Sequence, residues 1–128
     1  MLPSHNPQKD LKLLVIDDNH QWRSMLKDIL EQELGITPVL AGSGNKALNL
    51  LAADPFDVVT LDLSMPEMDG VQLLKLIRQN FPKIKVIIIS VSFDETGLTP
   101  RVLLERGAFA VISKMDVIAK LVDILRAL

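Results

Sequence analysis

Four short apolar runs punctuate the chain: LKLLVI at 11–16, FDVVTL at 56–61, KVIIIS at 85–90 and AFAVIS at 108–113. They are short and rich in β-branched residues, as expected of strands buried on both faces. A weaker run, ITPVL at 36–40, contains Pro38. Proline cannot donate a ladder hydrogen bond, so this strand is expected at an edge. Between the runs the apolar spacing changes to three and four residues. Trp22, Met25, Leu26, Ile29 and Leu30 follow that spacing, as do Val71, Leu74 and Ile77, and again Ile118, Leu121 and Leu125. Each set predicts an amphipathic helix. Asn19, and Thr99 followed by Pro100, are helix-start signals, and Gly107 marks a helix end. Strand and helix alternate five times without internal repeats, and strands separated by helices need crossover connections. The expectation is a doubly wound α/β domain with a five-stranded parallel sheet and helices on both faces.

In such a sheet, sites form outside the carboxyl ends of the strands, near the point where strand order reverses. The first strand is followed by Asp17 and Asp18, the third ends at Asp62, the fourth at Ser90, and the fifth runs into Lys114. With strand order 2-1-3-4-5 these five side chains converge. Taken singly, each has an ordinary explanation. Asp-Asp-Asn after a strand is turn and capping chemistry, and a lysine after a strand is usually solvated. Ser90 alone carries no information. Their common placement at one end of the sheet is what favours a site.

Composition narrows the options. At 128 residues and 48% hydrophobic, the chain can bury the core of one domain. Fourteen basic against 16 acidic side chains give a formal net charge of -2, which argues against direct nucleic-acid binding. There is no cysteine for a disulfide or thiolate site. No apolar run resembles a signal sequence or membrane span. A cytoplasmic protein is expected, without membrane association, with a loose polar tail at 1–9 and one domain over 10–128.

Gathering three carboxylates is costly: two unit charges about 5 Å apart repel by roughly 3 kcal/mol at an effective dielectric near 20. An all-oxygen cluster calls for a hard divalent cation, and Mg²⁺ suits a few carboxylates plus water.

Asp17-Asp18, Asp62 followed by MPEMDG, Ser90 after VIII, and Lys114 after GAFAVIS together resemble the receiver domain of bacterial two-component response regulators, of the chemotaxis-regulator type with a flavodoxin-like fold. The resemblance covers roughly residues 10 to 128. It implies that Asp62 accepts a phosphoryl group from a histidine kinase or phosphotransfer protein. It also implies that Asp18, Asp62 and the backbone carbonyl of Ser64 bind Mg²⁺ with Asp17 acting through water, while Ser90 and Lys114 hold the phosphoryl oxygens. Activity beyond self-phosphorylation and self-dephosphorylation is not implied. Output would pass through helix four, strand five and helix five to an effector or to a second copy. FPKIKVIIISVS and GAFAVISKMD look most like receivers joined to helix-turn-helix domains, so the chain reads as the receiver part of a longer regulator.

Three positions depart from the common family pattern. Met115 follows the lysine where proline is usual, and a trans Lys114–Met115 bond is expected because a cis one would cost about 3 kcal/mol. Val111 stands where Tyr or Phe is usual, and Val91 is bulkier than the usual Ala. Switching through movement of Ser90 and the loop at 91–96, without an aromatic rotamer change, follows as an expectation, as does slow self-dephosphorylation with Ser64 and Ser92 at the water-placing positions. Two other readings stand beside this one. A haloacid-dehalogenase-type phosphatase would need a second acid where Ser64 stands, and a pseudo-receiver would keep the fold as a docking module without phosphorylation. AGSGNKAL at 41–48 fails the Walker-type phosphate-loop pattern and reads as a turn into helix two. His20 is expected exposed and Trp22 partly buried. Arg23, Lys27, Arg101, Arg106 and Lys120 are expected on solvated helix faces. Phe93 and Phe109 are candidates for either a partner surface or burial.

Overall fold

The structure, a computed structural model, describes residues 10–65, 69–90 and 98–128. The expectations for the tail at 1–9, for Pro66 and for Val91, Ser92, Phe93 and the loop at 91–96 lie outside the described residues. In chain order the elements are β1 (Leu13–Ile16), α1 (His20–Leu34), β2 (Val39–Ala41), α2 (Gly44–Ala53), β3 (Val58–Asp62), α3 (Gly70–Asn80), β4 (Lys85–Ser90), α4 (Pro100–Glu105), β5 (Ala110–Ser113) and α5 (Val117–Arg126). The strands form one parallel sheet in the order β2-β1-β3-β4-β5, as expected.

Successive residues of a strand face opposite sides of the sheet, and the core divides accordingly. Leu14, Ile16, Val59, Leu61, Val86 and Ile88 pack with Ala47 and Leu51 of α2, Leu73, Leu74 and Ile77 of α3, and Leu103 of α4. Leu13, Val15, Val58, Ile87, Ile89 and Ile112 pack with Leu26, Leu30 and Leu34 of α1 and Val117, Leu121 and Leu125 of α5. The near-continuous apolar runs thus serve two cores at once. Four strands are shorter than their runs, with starts at Leu13, Val39, Val58 and Ala110. β2 starts at Val39 because Pro38 offers no N–H, and β1 begins at Leu13 although Lys12 already accepts from the backbone of Asp57 at 2.8 Å.

Side-chain caps fix where α1, α2, α3 and α4 start, and so fix loops at the site end of the sheet. Asn19 accepts from the N–H of Trp22 at 2.9 Å, Ser43 from Lys46 at 3.2 Å, Asp69 from Val71 at 3.0 Å and Thr99 from Val102 at 3.2 Å. The AGSG stretch is therefore the turn into α2, the simpler of its two readings. Gly107 follows α4 at φ 103, a left-handed conformation suited to glycine. After β5, Ser113 accepts from the N–H of Met115 at 3.3 Å and starts a 3₁₀ turn over Lys114–Asp116. The Lys114–Met115 bond is trans.

Gly70, at the first position of α3, meets the backbone after β3 directly. A Cβ there would lie 2.5 Å from the Leu63 Cα and 2.9 Å from the Leu63 carbonyl oxygen. Backbone cannot yield as a flexible side chain can, so Gly70→Ala is expected to destabilise the domain by about 2–3 kcal/mol. Urea unfolding of the two proteins measures this; equal midpoints would contradict it.

Candidate functional site

Asp17 directly follows β1, and its N–H donates to the Ala41 carbonyl at 3.1 Å, which prolongs the β1–β2 pairing by one residue. Asp62 is the last residue of β3 and Ser90 the last of β4, while Ser90 pairs in register with Ser113, one residue before Lys114. The sheet register therefore brings all these residues to one end. Asp17, Asp62 and Ser90 are buried, and Asp18 is exposed.

Lys114 crosses to the carboxylates. Its Nζ lies 3.0 Å from Asp17 Oδ2 and 3.8 Å from Asp62 Oδ2, and its side chain is 18% exposed. The reading of a lone solvated lysine fails here. Each carboxylate is also held by a backbone N–H: Asp17 Oδ1 accepts from Asn19 at 2.9 Å, and Asp62 Oδ1 accepts from Ser64 at 3.1 Å. One oxygen of each is thereby oriented by its own loop, and the other is turned to the ammonium.

Burial pushes the Asp62 carboxyl up to about 6 from an ordinary value of 3.8. The Ser64 N–H opposes that rise, the Asp17 charge adds to it, Lys114 opposes it, and Asp18 adds a smaller push. The ionised carboxylate is thus under-compensated where it stands. One oxygen each from Asp17, Asp18 and Asp62 lies within 4.8 Å of the others. Three carboxylates against one ammonium leave a local excess of negative charge, and the donors are all oxygen. That donor set fits a hard divalent cation.

Two contributions were not expected from the sequence. Arg23 is not on a solvated face: half-buried, it donates from Nη1 to the Asp17 carbonyl at 2.6 Å. Glycine at 42 leaves room for that guanidinium, since a Cβ there would sit 3.0 Å from Nη1. The second is Trp22, whose ring centroid lies 4.7 Å from Lys114 Nζ. The Asn19 cap sets the helix phase that aims the first turn of α1 back over the strand ends, but it specifies neither contact. The other readings of helix faces hold for Lys27, Arg101 and Lys120, which form exposed i,i+4 pairs with Glu31, Glu105 and Asp116, and for Arg106 and His20, which are exposed. Phe109 is exposed, with Lys85 Nζ 5.8 Å from its ring. A cleft of about 660 Å³ along α3 is lined by residues such as Asp69, Lys75, Arg78 and Arg106 and by none of the site carboxylates.

Residues 13–126 match the family model described as the response regulator receiver domain. A protein-glutamate methylesterase/protein-glutamine glutaminase of Caldanaerobacter subterraneus subsp. tengcongensis is 40% identical over 108 residues, which are 84% of this chain and 29% of that protein. The transcriptional regulatory protein DegU of Brevibacillus brevis is 30% identical over 122 residues, 88% of this chain and 52% of the relative. The chain thus spans about half the length, or less, of these curated relatives. Among solved structures, the receiver domain of the Francisella response regulator 1452 matches with a TM-score of 0.80 at 32% identity, covering 92% of this chain and 98% of that one. Among the described residues, no helix is long and apolar enough to cross a membrane.

The raised Asp62 value carries a pH signature in the metal-free protein. Between pH 3.8 and about 6 the folded state holds a proton that the unfolded chain has released, so stability falls as pH rises through that window and is level above it. The gap corresponds to about 3 kcal/mol at neutral pH. Asp62→Asn removes the decline and is expected to unfold at higher urea than the wild type at pH 7.5, with no advantage at pH 3.5. Urea titrations in the presence of a chelator measure this, and equal stability at pH 7.5 would contradict it.

Proposed function

The chain belongs to the response regulator receiver domain family, and from that membership we propose that Asp62 is its phosphoacceptor, charged by a histidine kinase or a phosphotransfer protein. The observation that carries the reading is the placement of Lys114 Nζ between Asp17 and Asp62, beside a buried carboxylate whose ionisation is held back to about pH 6. A carboxylate oxygen of Asp62 attacks the phosphorus of a phosphohistidine. The new O–P bond forms as the P–N bond breaks, and the electron pair leaves with the imidazole nitrogen. Above neutrality the Asp62 carboxylate is ionised and available as the nucleophile. The Ser64 N–H holds one Asp62 oxygen. Lys114 and the Ser90 hydroxyl meet the oxygens of the arriving phosphoryl group. Asp18, Asp62 and the backbone carbonyl of Ser64 would hold Mg²⁺, with Asp17 acting through water, and the bound ion supplies further neutralisation of the transferring charge.

The same proposal makes this domain a phosphoacceptor and not an enzyme with turnover. A phosphatase of the strand-end aspartate type needs a second acid where Ser64 stands. Methylesterase activity is a property of the relative, of which the matched stretch is 29%. For output we propose the face made by α4, β5 and α5. Leu104, Phe109, Met115 and Ile118 are exposed large hydrophobics on or beside those elements, a surface suited to an effector domain, a partner or a second copy. The family membership also favours a cytoplasmic setting, and we place the receiver boundaries at 10 and 128.

Incubation with acetyl phosphate and Mg²⁺ is expected to add one acid-stable, base-labile phosphoryl group. Labelling that survives in Asp62→Asn, or that ignores chelation of the metal, would remove Asp62 from this role. No labelling of the wild type under any donor would favour the docking-module reading.

Amide exchange with and without a fluoroberyllate phosphoryl mimic is expected to change over Pro100–Glu105, Ala110–Ser113 and Val117–Arg126. Changes confined to residues 17–18 and 62–70 would make the domain a phosphate sink instead of a switch.

A further inference from the structure

We propose that Trp22 is a positioning residue for Lys114: the indole face holds the ammonium at the two carboxylates, and the ring's emission reports where that ammonium sits. The functional half of this inference rests on the phosphoacceptor reading of Asp62. Lys114 Nζ stands 4.7 Å from the indole centroid, 3.0 Å from Asp17 Oδ2 and 3.8 Å from Asp62 Oδ2. That ring distance is within the range of cation–π attraction, for which indole is the best side-chain partner. The lysine stem is long and rotamer-rich, so two oxygens on one side do not by themselves fix its end. A half-buried ring limits the positions open to it. Trp22 is placed in turn, because its backbone N–H donates to Asn19 Oδ1 at 2.9 Å and its side chain packs against the core beneath α1 and α5. The segment from Asp17 to Trp22 thus supplies a carboxylate and an aromatic face to the same ammonium, with the Asn19 cap between them.

The bland alternative is that Trp22 only fills space. Space-filling is served as well by leucine as by phenylalanine, whereas holding a cation is served by phenylalanine alone. A phosphoryl group on Asp62 offers the ammonium new oxygens and shifts it relative to the indole. Since the chain contains a single tryptophan, that shift is readable without labels.

The test uses the full chain and the variants Trp22→Phe, Trp22→Leu and Lys114→Gln. Lys114→Gln is expected to change the emission of the unphosphorylated protein. A fluoroberyllate mimic is expected to change wild-type emission and to leave that of Lys114→Gln unchanged. Labelling by acetyl phosphate with Mg²⁺ is expected to slow about fivefold in Trp22→Leu and to return to within about twofold in Trp22→Phe. Mg²⁺ affinity, read by thermal shift, stays within about twofold of wild type in both, because the ring touches no carboxylate in this role. Leucine and phenylalanine variants that label equally fast, or an emission unaffected by Lys114→Gln, would overturn the proposal. Absence of labelling in the wild type would be a failure of the phosphoacceptor reading, and the emission of Lys114→Gln would still decide whether the ring holds the ammonium.

Discussion

The rest of the structure is arranged around a repulsion. Asp17, Asp18 and Asp62 bring their oxygens within 4.8 Å of one another, and two of the three are buried. At such separations each pair opposes folding by roughly 3 kcal/mol at an effective dielectric near 20, and burial adds to that. A domain whose stability is about 5–15 kcal/mol in total tolerates this only with compensation close by. The nearest compensation is Lys114, brought from the far end of the fold by the order of the strands.

Much of the remaining compensation comes from the backbone. The N–H groups of Asn19 and Ser64 each hold one carboxylate oxygen, and the Arg23 guanidinium holds the Asp17 carbonyl. Among the described residues no buried side-chain nitrogen or oxygen lacks a partner. The compensation is still incomplete for Asp62, whose carboxyl remains raised to about 6. A carboxylate left short of positive charge attracts what supplies it, so an incoming cation is drawn to the residue the fold serves least well.

The elements with strong periodicity were legible in the sequence. The runs VVTL and VIII predict buried strands because their side chains are apolar on both faces, and the spacing of Leu26 and Leu30 predicts the buried stripe of α1. The convergence of the acids was legible because Asp17, Asp18 and Asp62 all stand at the same end of their strands, although each alone reads as turn or capping chemistry. Arg23 was not, since a cation at a helical spacing is solvated unless something specific meets it. What meets it here is a backbone carbonyl beside a glycine on a different loop, a coincidence of three segments that no local pattern records. Trp22 was legible as partly buried, but its relation to Lys114 depends on the β5 register, about ninety residues away in sequence. Met115 shows the reverse case. Its departure from proline was visible, and Ser113 caps the turn that proline would otherwise stiffen.

Burial falls from the centre of the sheet to both edges, and β2 at one edge is half-buried at two of its three positions. β1 and β3 are buried at every position, whereas β5 is an edge strand half-buried at three of its four. α4 is six residues long and contributes one buried residue, Leu103. Segments with few buried apolar contacts open at low free energy, so they are the ones a modest local interaction can redistribute. Ser90 and Lys114 stand between the acid pocket and the β5 edge, at the ends of β4 and β5. Leu104 and Phe109 are exposed on this less deeply buried part of the fold, on and just after α4.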